Sequence, residues 1–71
     1  MFEEVKAFFA EKTGVSAEDI SPDTELTELG VDSMSLLMII NEFEDEFKVS
    51  ISDRELERLH TVGDITRLLE R

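Results

Sequence analysis

An all-α fold of four helices, with a long loop between the first and second and a short third helix, is what this sequence predicts. Three observations carry the prediction. Apolar residues recur at three- and four-residue spacing in four segments, no segment shows the alternation of a strand, and Gly and Pro are confined to the joints. With 71 residues there is room for one domain, spanning 1–71.

Each element has its own justification. The spacing predicts a first helix over Phe2 to Thr13, with Phe2, Val5 and Phe9 on one face, Glu3 and Glu4 favourably placed in the first turn, and Gly14 as a left-handed stop. Gly14 to Asp32 reads as a long connection containing the only Pro, held down by Val15, Ile20, Leu26 and Leu29. A loop of this length in so small a domain is unusual and often functional. Within it, Ser16-Ala17-Glu18-Asp19 and Thr24-Glu25-Leu26-Thr27 read as capped turns. Asp32 caps a second helix from Ser33 to about Phe47, the longest element, which Lys48-Val49-Ser50 ends. At 100° per residue, Leu36, Ile39, Ile40, Phe43 and Phe47 form its core face. Met34, Leu37 and Met38 fall on the opposite side with Asn41 and Asp45. Ser52-Asp53-Arg54-Glu55 reads as a capping box opening a third helix through Leu59. Thr61-Val62-Gly63-Asp64 opens a fourth through about Glu70, with Ile65, Leu68 and Leu69 as its buried stripe.

Composition bounds the function. The domain is too small to wall off the deep cleft most enzymes need, so a catalyst is not expected. Hydrophobic residues make up 41% of the chain, too many for an acidic disordered tail. The net charge of −11 argues against nucleic acid and anionic membrane as partners and for basic protein surfaces. Its distribution is uneven: residues 1–32 hold 2 basic and 9 acidic side chains, 33–48 hold 1 and 4, and 49–71 hold 4 and 5. Such crowding of like charge opposes folding, so added salt or magnesium is expected to raise the melting temperature. A melting temperature flat across ionic strength contradicts this. With no Cys there is no disulfide, thiolate metal site or cysteine nucleophile. The N-terminus has no basic region leading an apolar run, and the longest apolar stretch, Leu36 to Ile40, is far too short to span a bilayer. The expectation is a soluble, cytoplasmic monomer.

Few residues offer chemistry. His60 is the only histidine, and Val31-Asp32-Ser33-Met34-Ser35 lacks the glycines of a nucleophile elbow, so His60 reads as a joint residue before the fourth helix. Calcium-loop spacing also fails. Counting from Asp19, Asp23 or Asp32, the sixth residue is Thr24, Glu28 or Leu37 where Gly is needed, and no metal site is expected. What remains is Gly30-Val31-Asp32-Ser33-Met34, which places a serine in the first turn of the longest helix, after a glycine-hinged loop. A phosphate on that hydroxyl would sit at the positive end of the helix dipole, which suits phosphorylation or a phosphodiester-linked prosthetic group. Asp-Ser at a helix start is also ordinary capping chemistry. The residues alone leave both readings open.

Leu29-Gly30-Val31-Asp32-Ser33-Met34 resembles the Leu-Gly-x-Asp-Ser-Leu attachment motif of the acyl carrier proteins. The resemblance extends along essentially the whole chain. Glu42-Phe43-Glu44-Asp45-Glu46-Phe47 is similar to the acidic, Phe-ended second helix of that family. Val49-Ser50-Ile51-Ser52-Asp53 resembles its lead into the third helix, with Ser52 where proline is common, and Thr61-Val62-Gly63-Asp64 resembles the start of its fourth. The resemblance implies a four-helix bundle of the acyl-carrier type. It implies that Ser33 bears covalent 4′-phosphopantetheine, placed there by a phosphopantetheinyl transferase, and carries acyl groups as thioesters for fatty-acid or polyketide-type synthesis. It gives Asp32 the helix cap and a part in metal binding within the transferase complex. Phe43, Ile51, Ile65 and Leu69 are the expected lining of an acyl pocket. Met34, Leu37, Met38, Asn41, Glu42, Glu44 and Asp45 are the expected contacts for the transferase and for acyl-activating, acyltransferase and ketosynthase-type enzymes, with Glu46 joining the acidic patch.

One departure stands out. Where familiar members carry acidic residues on the upper second helix, this sequence has Ser35 and Met38, and Met34, Leu37 and Met38 form an apolar stripe instead. The expectation is a specialised carrier with a dedicated partner. A peptidyl carrier shares the arm and the four helices, but its motif more often has glycine and histidine or aspartate before the serine, and it commonly lies within a larger synthetase. A module in which Ser33 is never modified, and the Met stripe only binds a helix, is the third reading.

Overall fold

A computed structural model describes residues 1–70 and builds, among them, α1 (Phe2–Thr13), α2 (Ser33–Phe47), α3 (Asp53–Leu56) and α4 (Val62–Leu69), with 3-10 turns at Ala17–Asp19 and Leu26–Leu29. The all-α class and the acyl-carrier kind of bundle agree with the expectation. Among the described residues the sole β-type pairing is one isolated bridge between Glu25 and Thr61.

The two long helices begin and end where their chemistry says. Gly14 is left-handed at φ 79°, and its N–H donates to the Ala10 carbonyl at 2.9 Å. α2 starts on Asp32, whose carboxylate accepts from the Ser35 N–H, and stops at Lys48, which adopts φ 58°. Between α1 and α2 lies a cluster of phenylalanines. Phe43 stacks on Phe47 at 4.6 Å between centroids, and Phe8 meets Phe9, Phe43 and Phe47 edge-on at 5.3–5.7 Å. Val5, Phe9, Phe43, Val62 and Ile65 are the largest completely buried side chains, so the core joins α1, α2 and α4.

Several expectations need correction. Phe8 belongs to the core of α1 beside Val5 and Phe9, while Phe2 is only half-buried. Since Phe8 and Phe9 straddle Val5 on the helix surface, both can face inward. In α4 the buried stripe is Val62, Ile65 and Thr66, with Leu69 at its edge, whereas half-buried Leu68 lines an open hollow with Glu55, Arg58, Leu59 and Asp64. α3 stops at Leu56 rather than Leu59. Its capping box is present, but the Arg58 and Leu59 N–H groups turn back only three residues, to Glu55 and Leu56, so the last turn tightens away from α geometry. In the long loop, Ser16 precedes its turn without capping it through the side chain. The second turn begins at Leu26, where the Glu28 carboxylate accepts from the Glu25 N–H, and Thr24 Oγ1 instead accepts from the Ser21 N–H.

The long loop is fixed by sharing backbone bonds with the start of α4. The first N–H groups of a helix have no partner within it. Here Val62 donates to the Thr24 carbonyl at 3.0 Å, Gly63 to Pro22 at 2.9 Å, and Asp64 to Thr61 Oγ1 at 3.1 Å. In return, the Leu26 N–H donates to His60 at 2.9 Å. Gly63 is required by this contact, because a Cβ there would stand 2.8 Å from the Pro22 carbonyl oxygen. Gly63→Ala is therefore expected to lower stability by about 1–3 kcal/mol, despite alanine's higher helix propensity. A urea midpoint equal to or above that of the parent contradicts the close approach.

Candidate functional site

Three neighbouring backbone features present Ser33. Leu29, 2% exposed, anchors the end of the second 3-10 turn. Gly30 reverses the chain at φ 77°, and extended Asp32 then accepts the Ser35 N–H at 2.8 Å. Ser33 is thereby the first residue of α2, exposed to solvent. The Ser35 N–H holds the Asp32 carboxyl below the usual carboxylate range, so Asp32 stays ionised as a cap.

Beside Ser33 opens a cleft of about 220 Å³, lined by Leu26, Leu36, Leu37, Ile40, Leu56 and Leu59 together with Ser33 itself. Its floor is firm, since Leu26 and Ile40 are 4% and 3% exposed. Its outer wall is Leu56 of α3 and Leu59 beyond it. None of the residues expected from the sequence to line an acyl pocket is in this wall. Phe43 and Ile65 are completely buried in the closed core, and Ile51 and Leu69 are half-buried against it. The helical wheel identifies inward-facing residues, but a cleft forms where inward-facing residues of different elements fail to meet. Among the lining residues, Leu36 and Ile40 carry a sequence signal as core-face members adjacent to Ser33. Leu56 and Leu59 carry none.

The outer face of α2 is apolar near Ser33. Met34, Leu37 and Met38 are 74%, 45% and 64% exposed, the large exposed hydrophobics of the chain apart from Met1. Asn41 and Asp45 continue the face, also exposed. Two acids of the run below have partners within the molecule. Glu42 pairs with Lys12 of α1 at 2.8 Å, and Glu44 turns back to accept the Ile51 N–H at 2.8 Å. The bond to Glu42, supported by Glu11 and Glu46 nearby, raises the Lys12 ammonium above its ordinary pKa. Lys12 and Glu42 share with Val31, Ser35, Met38 and Ile39 a second hollow, between α1 and α2. No sequence signal links Lys12 to Glu42, because the pair spans two elements.

His60 serves the joint through its backbone, accepting from Leu26 and donating to Asp64 Oδ2 at 2.9 Å. Asp64 also accepts from the Thr61 N–H at 3.1 Å and pairs with Arg67. The His60 N–H, then the Thr61 N–H and the Arg67 guanidinium, hold the Asp64 carboxyl below its ordinary 3.8. A lowered folded-state pKa gives stability that is complete above the unfolded value and lost as pH falls through the folded one. In about 0.2 M salt, where surface repulsion is screened, Asp64→Asn is expected to cost about 1 kcal/mol at neutral pH. The gap should close once Asp64 itself is protonated. Urea midpoints of both proteins across the acid range check this, and a gap undiminished at the acid end contradicts it. Among the described residues no group of His, Asp or Glu side chains is arranged to hold a metal ion, and no helix is long and apolar enough to cross a membrane.

Comparison with known proteins agrees with this geometry. A family model described as a phosphopantetheine attachment site matches residues 3–69. The chain is also similar to an acyl carrier protein of Thermotoga maritima, with 38% identity over 72 aligned positions that cover all of this chain and 89% of that one.

Proposed function

Because the chain belongs to the phosphopantetheine attachment family, as an acyl carrier protein with covalent 4′-phosphopantetheine as its prosthetic group, we propose that Ser33 is the attachment point. The observation that carries this is the position of its exposed hydroxyl, on the first residue of α2 and in the wall of an apolar cleft. The residues fit such a group. A phosphodiester at Ser33 lies at the positive end of the α2 dipole, and Asp32 keeps the helix start closed. When bound, the group supplies a terminal thiol that holds an acyl chain as a thioester, a thiol this Cys-free chain does not have.

Leu26, Leu36, Ile40, Leu56 and Leu59 then act as a shelter for the apolar part of the cargo, withdrawing it from water. The chain is a carrier in fatty-acid or polyketide-type synthesis, not a catalyst, and works as a monomer in the cytoplasm. Its partners are a phosphopantetheinyl transferase and the acyl-activating, acyltransferase and ketosynthase-type enzymes that use the loaded arm, met through the outer face of α2 around Met34, Leu37, Met38, Asn41 and Asp45. Mass spectrometry after incubation with coenzyme A and a promiscuous transferase tests the reading. One phosphopantetheine adduct per chain is expected. An unchanged mass would instead favour an unmodified interaction module.

A further inference from the structure

We infer that the enzymes acting at Ser33 grip this carrier through an apolar patch on their own surface, seated on Met34, Leu37 and Met38, and that Lys12 disfavours partners that dock by basic residues. The inference rests on the reading of Ser33 as the attachment site.

Position comes first. An enzyme that reaches a group on Ser33 must approach the first turns of α2, and Met34, Leu37 and Met38 occupy the outer surface of those turns, 74%, 45% and 64% exposed. Three contiguous apolar side chains left in water beside the reactive position are a surface built for burial. Methionine adapts to a partner's shape without a fixed rotamer.

Charge then selects the partner's chemistry. The first turn of α2 has no acidic residue. Of the carboxylates nearest the stripe, Asp32 caps the helix by accepting the Ser35 N–H at 2.8 Å, Glu42 pairs with Lys12 at 2.8 Å and Glu44 accepts the Ile51 N–H at 2.8 Å. Lys12 also stands over the Phe8 ring at 5.6 Å, which holds it in place beside α2. A partner's Arg or Lys seeking Glu42 must compete with this resident cation. The exposed acid on the stripe itself is Asp45, about 16 Å along the helix from Met34. The complementary partner is therefore apolar over Met34, Leu37 and Met38, with basic groups only at the two ends of that patch, opposite Asp32 and Asp45. Apolar burial sets the affinity, and charge adds to the encounter rate.

Two transferases of known structure test this with coenzyme A as donor, one docking through an apolar face and one through a face rich in Arg and Lys. The expected result is a lower KM for the parent chain with the apolar-faced enzyme. Substituting Met34→Glu and Met38→Glu together should raise that KM by about tenfold or more and lower the KM of the basic-faced enzyme. Lys12→Gln should lower the KM of the basic-faced enzyme alone, with a steeper salt dependence. Circular dichroism establishes that each variant keeps its helices. Adducts formed with no preference between the two enzymes, or a KM indifferent to the two Glu substitutions, would overturn the inference and leave Ser33 as the attachment site. Absence of an adduct with either enzyme would remove both.

Discussion

Ser33→Ala is expected to abolish phosphopantetheine loading completely, with no adduct after prolonged incubation. The chain has five other serines, Ser16, Ser21, Ser35, Ser50 and Ser52, and none of them lines the cleft beside Ser33. Ser35 is the critical control, since it is exposed and only two residues away. It faces the hollow between α1 and α2 with Lys12 and Glu42, whereas Ser33 faces the cleft of Leu26, Leu36 and Ile40. Ser35→Ala should still load. Loss of loading in Ser33→Ala should not reflect unfolding, because Ser33 follows the cap and is solvent-exposed. Its melting curve should lie within about 0.5 kcal/mol of the parent. An adduct that survives Ser33→Ala, mapped to another serine, would displace the whole assignment.

Phe43→Ala should have the largest effect on stability. Phe43 is completely buried, stacks on Phe47 at 4.6 Å and on Phe9 at 6.2 Å, and meets Phe8 edge-on at 5.6 Å. Removing such a side chain costs about 3–5 kcal/mol through lost transfer free energy and the cavity left behind. A domain of this size has a total stability of roughly 3.5–10 kcal/mol. The variant should therefore be largely unfolded in moderate urea and, at the lower end of that range, partly unfolded in buffer. Phe43→Leu, which keeps most of the volume, should retain a cooperative transition. Phe47→Ala should cost less, since Phe47 is only half-buried. Equal urea midpoints for Phe43→Ala and the parent would show that the cluster contributes little.

The boundaries of α1 and α2 were legible because periodicity and stop chemistry agree there: Gly14 ends one, Asp32 starts the other and Lys48 closes it. The cap of α4 was legible for the same reason, with Thr61 and Asp64 exchanging bonds. Ser33 was visible from its motif and helix start. Other features depend on contacts between distant segments, to which local pattern is blind. Gly63 is at an ordinary helix start in the sequence, and only the approach of Pro22 explains it. Lys12 and Glu42 are thirty residues apart in sequence, and Glu44 is diverted by a backbone N–H in the following loop. The early end of α3 reflects its shortness, since one turn of helix has little cooperative length to resist tightening.

That shortness bears on how the cleft opens. Two parts of its lining are hard to move: α2, carrying the phenylalanine cluster, and Leu26 of the loop stitched to α4. The remaining side is Leu56, on a helix with two backbone bonds of α type, Leu56 to Ser52 at 2.9 Å and Glu57 to Asp53 at 3.2 Å, and Leu59 in the tightened turn that follows it. A door hung on so few bonds can swing by local unfolding while its frame stays shut. On the reading that this cleft shelters the cargo, release is expected to follow the local opening of α3 and not the unfolding of the protein as a whole.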